Sequence, residues 1–269
     1  MRTRLLIGTL LVAVLVGVFA LDFFVLDSAW ASRVLLWLLG LGALHETLAI
    51  AGKRVETNPG LFFFGAIAVV AVVAPYLFLQ TAVPGVFLAL AALLAGAVRF
   101  LGMAPLRSAP AAFPEAAVLA GSVLYTVGLL GFLDALVVHS VATAFAVLAV
   151  SKTTDILGYL VGSRIGRRRI APAISPKKSW EGTLAGFLGA GGVAVLLRDS
   201  LVGPPAFAFL LGVAIGIASL IGDLIESGFK RWAGVKDSSA LLPEFGGFLD
   251  MLDGVLVAAP IAYVLLHKT

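Results

Sequence analysis

Residues 222–254 read GDLIESGFKRWAGVKDSSALLPEFGGFLDMLDG. An apolar run, 205–221, leads into this stretch, and a second, 254–266, follows it. Acids and bases are therefore concentrated between two segments apolar enough for a bilayer, where ionisable groups are expensive and suspect as functional. On a helix, Asp223, Glu226, Ser227, Lys230 and Arg231 fall at i, i+3, i+4, i+7 and i+8, which is one face. Asp250 and Asp253 again sit three apart, at the start of the last apolar run. Charges that only flank two membrane spans would also make such a stretch. Here the acids precede the bases along one stripe, and a second acidic pair lies a loop away. That order suits a divalent cation on carboxylates with a phosphate held beside it.

The rest of the chain has the composition of a polytopic membrane protein. Of 269 residues, 61% are hydrophobic and 13% charged, and mean hydropathy is +1.08. The fold class expected is all-α, with about nine transmembrane helices and the polar site at the cytoplasmic ends of the C-terminal ones. The spans predicted lie near 5–25, 34–51, 61–80, 84–103, 116–133, 138–162, 180–197, 205–228 and 250–266. Each reaches the about 17–25 residues that cross a hydrocarbon core. Residues 1–21 have the look of a signal peptide, and Ala29-Trp30-Ala31 mimics a cleavage site. The remainder is just as apolar, so the reading is a first span that stays attached.

With Cys 0 there is no disulfide framework, thiolate metal site or cysteine nucleophile. The formal charge is only +4, but its distribution matters. With the N-terminus inside, the inner loops hold Lys53, Arg54, Arg107, the run from Arg164 to Lys178, and Lys230, Arg231 and Lys236. The outer segments hold Arg33, Arg198 and Lys268. This asymmetry puts the polar stretch on the cytoplasmic face, and the membrane expected is a bacterial inner (plasma) membrane. No soluble domain is left to carry a basic groove, so nucleic acid is excluded as a partner. The organisation expected is an N-terminal scaffold over 1–110, a middle region over 111–179 with a basic loop, and a chemical region over 180–269. In the scaffold, Asp22, His45, Glu46 and Arg99 read as interfacial or snorkelling groups.

The middle region changes character at 151–182, SKTTDILGYLVGSRIGRRRIAPAISPKKSWEG. Lys152, Asp155, Tyr159 and Gly162 share a helical stripe, although Lys152 and Asp155 also read as a pair that neutralises itself. Ser175 is expected to cap a helix with Pro176 in its first turn. Lys177, Lys178 and the free N–H groups of that turn would then form a cationic mouth for a phosphate. Arg167 to Arg169 read as a topology anchor at lipid headgroups. Gly182, Gly186 and Ala190, and then Gly212, Gly216 and Ser219, form small-residue stripes for close helix packing. The second stripe runs on to Asp223 and should turn that face toward a cavity. Gly246 and Gly247 allow close backbone approach to a ligand.

These stretches resemble the CDP-diacylglycerol synthases (phosphatidate cytidylyltransferases). That family's signature runs S-x-x-K-R, four residues, K-D, then P-x-H-G-G and D-R-x-D. Ser227, Lys230, Arg231, Lys236, Asp237, Pro243, Gly246, Gly247, Asp250 and Asp253 follow it in order and spacing. Asp155 with Gly158-Tyr159 and Gly162 is similar to a second block, and Ser175 to Gly182 matches S-P-K-K-[ST]-W-E-G in full. The chain departs at Phe245, Met251 and Gly254, where His, Arg and Ser are usual. The resemblance implies transfer of CMP from CTP to phosphatidate, releasing pyrophosphate, with Mg²⁺ as cofactor and the bilayer as partner. Asp223, Asp250 and Asp253 are then the metal candidates, with Asp155 a supporting acid. Lys177, Lys178, Lys230, Arg231 and Lys236 are the phosphate-binding candidates, with Ser175, Ser227, Gly246 and Gly247 beside the substrate. A second, monovalent cation and a homodimer are left open.

Three rival functions share some of these features. CDP-alcohol phosphotransferases carry D-x-x-D-G-x-x-A-R, which Asp250, Asp253 and Gly254 begin to imitate; Val257 and Ala258 then break the pattern. An enzyme acting on an isoprenoid phosphate, or a CTP-dependent lipid kinase, stays open because acyl recognition would fall in the uninformative N-terminal half. A cation-coupled transporter would need paired broken helices in two halves, whereas the charges here lie in one half.

Overall fold

The computed structural model describes residues 13–26, 28–55, 109–201, 203–239 and 246–267. Helix α1, Ala13–Leu26, ends in a π turn at Asp22–Leu26, and α2 is Trp30–Ala51. Helix α3 runs through Ala109–Val123, a π turn at Leu124–Gly128, and Leu129–His139. Then come α4, Val141–Ile165; α5, Trp180–Leu196; α6, Pro205–Trp232; and α7, Phe248–Leu266. Among the described residues, five helices are long and apolar enough to cross a membrane, and α1 and α5 are shorter apolar helices. The chain is thus a mostly helical membrane protein. The predicted spans 61–80 and 84–103 lie outside the described residues.

The predicted boundary between the fifth and sixth spans moves to Ser140. That residue is extended (φ −162°, ψ 120°), and its hydroxyl accepts from the Thr143 N–H, so it starts α4 as an N-cap. The all-α reading needs one amendment. Between α4 and α5 lies an antiparallel hairpin of β1, Arg169–Ala171, and β2, Ser175–Ser179, with Arg169 opposite Ser179 and Ala171 opposite Ser175. Ser175 therefore caps nothing. The cap is Ser179, whose side chain accepts from Gly182 N at 3.2 Å, with Glu181 in the first turn of α5. Local signals favoured Ser175-Pro176, but pairing with β1 holds that segment extended.

The tightest packing is between α4 and α5, α5 and α6, and α6 and α7. Small residues make it possible. A Cβ on Gly182 would collide with Gly158 O and Gly162 Cα of α4, and one on Gly222 would strike Asp253 O of α7. Both predicted small-residue stripes lie at such contacts: Gly186 against Thr154, Gly212 against Ala190, and Gly216 against both. Behind this group, α2 and α3 pack on α7, and Leu36, Leu44, Leu133, Leu249 and Leu256 are fully buried between them. The close crossing of α6 and α7 brings two acid-bearing helix ends together.

Candidate active site

Helix α6 carries Asp223, Glu226, Ser227, Lys230 and Arg231 on its last three turns, as the one-face spacing requires. Helix α7 begins at Phe248, so Asp250 and Asp253 fall in its first two turns. Because α6 and α7 touch at Gly222 and Gly254, Asp253 swings against α6. Carboxylate oxygens of Asp223, Glu226 and Asp253 lie within 4.8 Å of one another. Like charges so close repel strongly unless cations sit among them.

Each of the three has its own lysine. Lys178 of β2 pairs with Asp223, Lys230 with Glu226 at 2.7 Å, and Lys152 of α4 with Asp253 at 3.9 Å. Lys152 also reaches Asp155 at 3.4 Å, and Lys230 reaches Asp250 at 2.5 Å. The network thus joins five carboxylates and three lysines, a formal charge of −2 with every group ionised. One oxygen in it, Glu226 Oε1, is buried with no hydrogen-bond partner. A buried acceptor without a partner keeps its lone pairs free for a further donor or a hard cation.

A cavity of about 260 Å³ opens beside Asp223, walled by Asp155, Tyr159, Ser175, Lys177, Lys178 and Thr183 among others. The lysines thus reach the cavity from an extended strand rather than from a helix N-terminus, which replaces the predicted mouth of free N–H groups. The Asp223 face of α6 does meet a cavity, and Ser227 Oγ donates to Asp223 Oδ1 at 3.2 Å. Lys177 is exposed, and Lys236 is exposed on the loop beyond α6. Arg231 ties that loop to the hairpin: its guanidinium donates to Ile174 O at 3.4 Å and Val235 O at 3.2 Å. The hairpin base is tied to α5 by Glu181, whose carboxylate accepts from the backbone N–H groups of Arg167 and Arg168.

Asp250 stands apart from the three-carboxylate cluster. Its Oδ1 accepts from Lys230, and its Oδ2 accepts from Ser238 N at 3.2 Å, Gly247 N at 2.8 Å and the Ser238 hydroxyl. It caps α7 and holds the preceding loop. Glu226 takes the place in the cluster that the sequence reading gave to Asp250. Gly246 (φ +83°) and Gly247 also differ in use from the expectation. The space beside them is filled by carboxylates of the protein itself, Asp250 against Gly246 and Glu46 against Gly247. Phe245 lies outside the described residues.

Sequence reasoning also passed over Glu46. Read as interfacial, it is in fact 4% exposed and hydrogen-bonded to the start of α7 from α2. The only signal available for it was an acid inside an apolar run, which does not name its partner.

A profile described as "Cytidylyltransferase family" matches residues 2–269. Proteins named phosphatidate cytidylyltransferase are among the similar ones. That of Chlamydia trachomatis is 42% identical over 135 residues, which is 47% of this chain and 43% of the relative. That of Mycobacterium tuberculosis is 43% identical over 124 residues, 45% of this chain and 38% of the relative. That of Thermotoga maritima is 38% identical over 130 residues, 46% and 48% of the two chains. The matched region spans less than half the length of each of these relatives.

Proposed function

The chain belongs to the cytidylyltransferase family, and from that premise we propose that it makes CDP-diacylglycerol and pyrophosphate from CTP and phosphatidate. A phosphate oxygen of the lipid attacks the α-phosphorus of CTP. The bond from that phosphorus to the bridging oxygen breaks, and pyrophosphate leaves with the electron pair. Transfer of this kind asks a protein mainly for positioning and charge neutralisation. The observation that carries the reading is the cluster of Asp223, Glu226 and Asp253 beside a lysine-walled cavity.

The donor set fits Mg²⁺: all-oxygen ligands, a formal excess of −2, and an orphan oxygen on Glu226. Asp223, Glu226 and Asp253 would hold the ion. When bound, it neutralises charge on the leaving phosphates. The lysines then divide the remaining work. Lys178 and Lys177 hold triphosphate oxygens in the cavity, while Lys152 and Lys230 fix the carboxylates in place. No side-chain nucleophile is required, because the lipid phosphate brings its own.

The site faces the cytoplasm of the inner membrane in this reading, since the basic loops 163–179 and 229–239 lie at one end of the bundle's chemistry. A cysteine replacing exposed Lys236 tests this in sealed cells, without background because the chain has Cys 0. An impermeant thiol reagent should leave it unlabelled; labelling from outside would reverse the orientation.

The function itself is tested with purified protein, labelled CTP, phosphatidate and Mg²⁺. Labelled CDP-lipid and equimolar pyrophosphate are expected. No CDP-lipid from phosphatidate, with turnover on an isoprenoid phosphate or a lipid alcohol, would replace the substrate assignment.

A further inference from the structure

Helix α7 carries Asp250 and Asp253, yet its first N–H groups are held by a residue 202 positions before Phe248 in sequence, on α2. Glu46 Oε1 accepts from Phe248 N at 3.1 Å and Oε2 from Leu249 N at 2.8 Å. Oε1 also accepts from the Ser239 hydroxyl at 2.7 Å, on the loop that leads to α7. The carboxylate is 4% exposed, and a Cβ on Gly247 would collide with it, so any side chain there would push it out. One turn earlier on α2, a Cβ on Gly42 would strike the Phe248 ring. Helix α2 is therefore keyed to the first turn of α7 by one carboxylate on two adjacent amides.

The first N–H groups of a helix have no partner within it. Here they are divided: Gly247 N goes to Asp250, and Phe248 N and Leu249 N go to Glu46. A carboxylate at this end is also favoured by the helix dipole. Rotation or withdrawal of α7 would carry Asp253 off Asp223 and Glu226 while breaking both Glu46 bonds. We propose that Glu46 is a positioning residue for the reaction, acting through the α7 backbone to hold Asp253 in the carboxylate cluster. This rests on the metal-assisted transfer proposed above. Glu46 touches neither the cavity lysines nor the hairpin, so it governs the carboxylate side of the site and leaves the triphosphate side alone.

Glu46→Gln is the incisive variant. It keeps the shape but replaces one accepting oxygen with an NH₂ that faces a backbone N–H. Three readouts are taken on purified full-length protein: kcat and KM for CTP, Mn²⁺ affinity by electron paramagnetic resonance, and the thermal midpoint without metal. The expected result is a kcat at least about tenfold lower, a KM for CTP within about twofold, and Mn²⁺ bound at least about tenfold more weakly by folded protein. Unchanged kcat and Mn²⁺ affinity would overturn the proposal. So would a loss of activity that only follows the fraction unfolded. If Glu46→Gln does not fold, Ser239→Ala removes one of the three contacts and should lower kcat by about threefold with KM unchanged; no change in kcat would overturn the proposal. If wild-type protein makes no CDP-lipid, the assigned reaction fails, and the Mn²⁺ comparison still decides the role of Glu46.

Discussion

Among the described residues, two groups of ion-paired charges are enclosed by this bundle, and they are built differently. Arg33 of α2 and Asp134 of α3 form a two-bond pair, Nε to Oδ1 at 2.8 Å and Nη2 to Oδ2 at 3.0 Å, with side chains 3% and 0% exposed. One cation meets one anion in matched geometry with no formal charge left over, although Arg33 also lines a cavity of about 570 Å³. The other group joins Asp155, Asp223, Glu226, Asp250 and Asp253 to three lysines, keeps an unpartnered oxygen, and borders a cavity. Charge within an apolar bundle is thus not itself the mark of a site. Charge imbalance is, because a matched pair has no net charge left to offer a ligand.

The strongest way to break this contrast is to remove one acid from the open group. Asp253→Asn should lower turnover by about 10³-fold or more, beyond the loss of one preorganised electrostatic group. The protein should still fold, since a neutral amide relieves repulsion among the three carboxylates. Steady-state kinetics with a thermal-unfolding control reads both; an Asp253→Asn enzyme at near-wild-type rate would remove the cluster from the chemistry.

The closed pair should respond the opposite way. Arg33→Leu leaves Asp134 buried without its cation and should cost about 3–5 kcal/mol of stability. Arg33→Leu with Asp134→Leu should recover most of that, because both charges leave together. Turnover per folded molecule should not change in the double variant. A double variant that folds well but turns over slowly would make the Arg33–Asp134 pair part of the function and dissolve the distinction.

Lys178 sits at the join between the open group and the cavity, and its removal should be milder. Lys178→Met takes away one charge-assisted contact, about 1.5–3 kcal/mol, which is about 10–100-fold in kcat/KM. Most of it should appear in KM for CTP, since the lysine lines the cavity while also holding Asp223. A change confined to kcat would move Lys178 from substrate binding to the carboxylate cluster.

Much of this could be read from the chain itself. The stripe from Asp223 to Arg231 needs only helical periodicity, and the small-residue stripes announced the crossings that Gly182, Gly212 and Gly216 make. What sequence could not supply were partners made by tertiary contact. Glu46 meets Phe248 across 202 positions, and Arg33 meets Asp134 across 101. Asp250 and Glu226 are both acids near a helix end, and only the crossing of α6 over α7 decides which joins the cluster. The cap at Ser179 was misread as Ser175 because both precede plausible helix starts, and the choice is made by pairing of β2 with β1. Acids between apolar runs were visible; the partners that make one structural and another chemical were not.

The smallest effect should come from the residue where family likeness is weakest in the described site. Met251, half-buried on α7, stands where an arginine is usual, and it lies next to Asp250. Successive helical residues point about 100° apart, so a guanidinium here would not replace Lys230 on Asp250. Asp250 already accepts from Lys230, Ser238 and Gly247, and has little left for another donor. An added arginine would gain at most a solvent-accessible phosphate contact, worth up to about 1 kcal/mol. Transfer between phosphates needs neutralised charge rather than a particular proton donor, and Lys177, Lys178, Lys152 and Lys230 already supply cations around the cluster. Met251→Arg should therefore change kcat/KM by less than about fivefold, far below the loss in Asp253→Asn. A wild-type protein without CDP-lipid formation, active only after Met251→Arg, would show that the five-acid, three-lysine network is insufficient without that arginine.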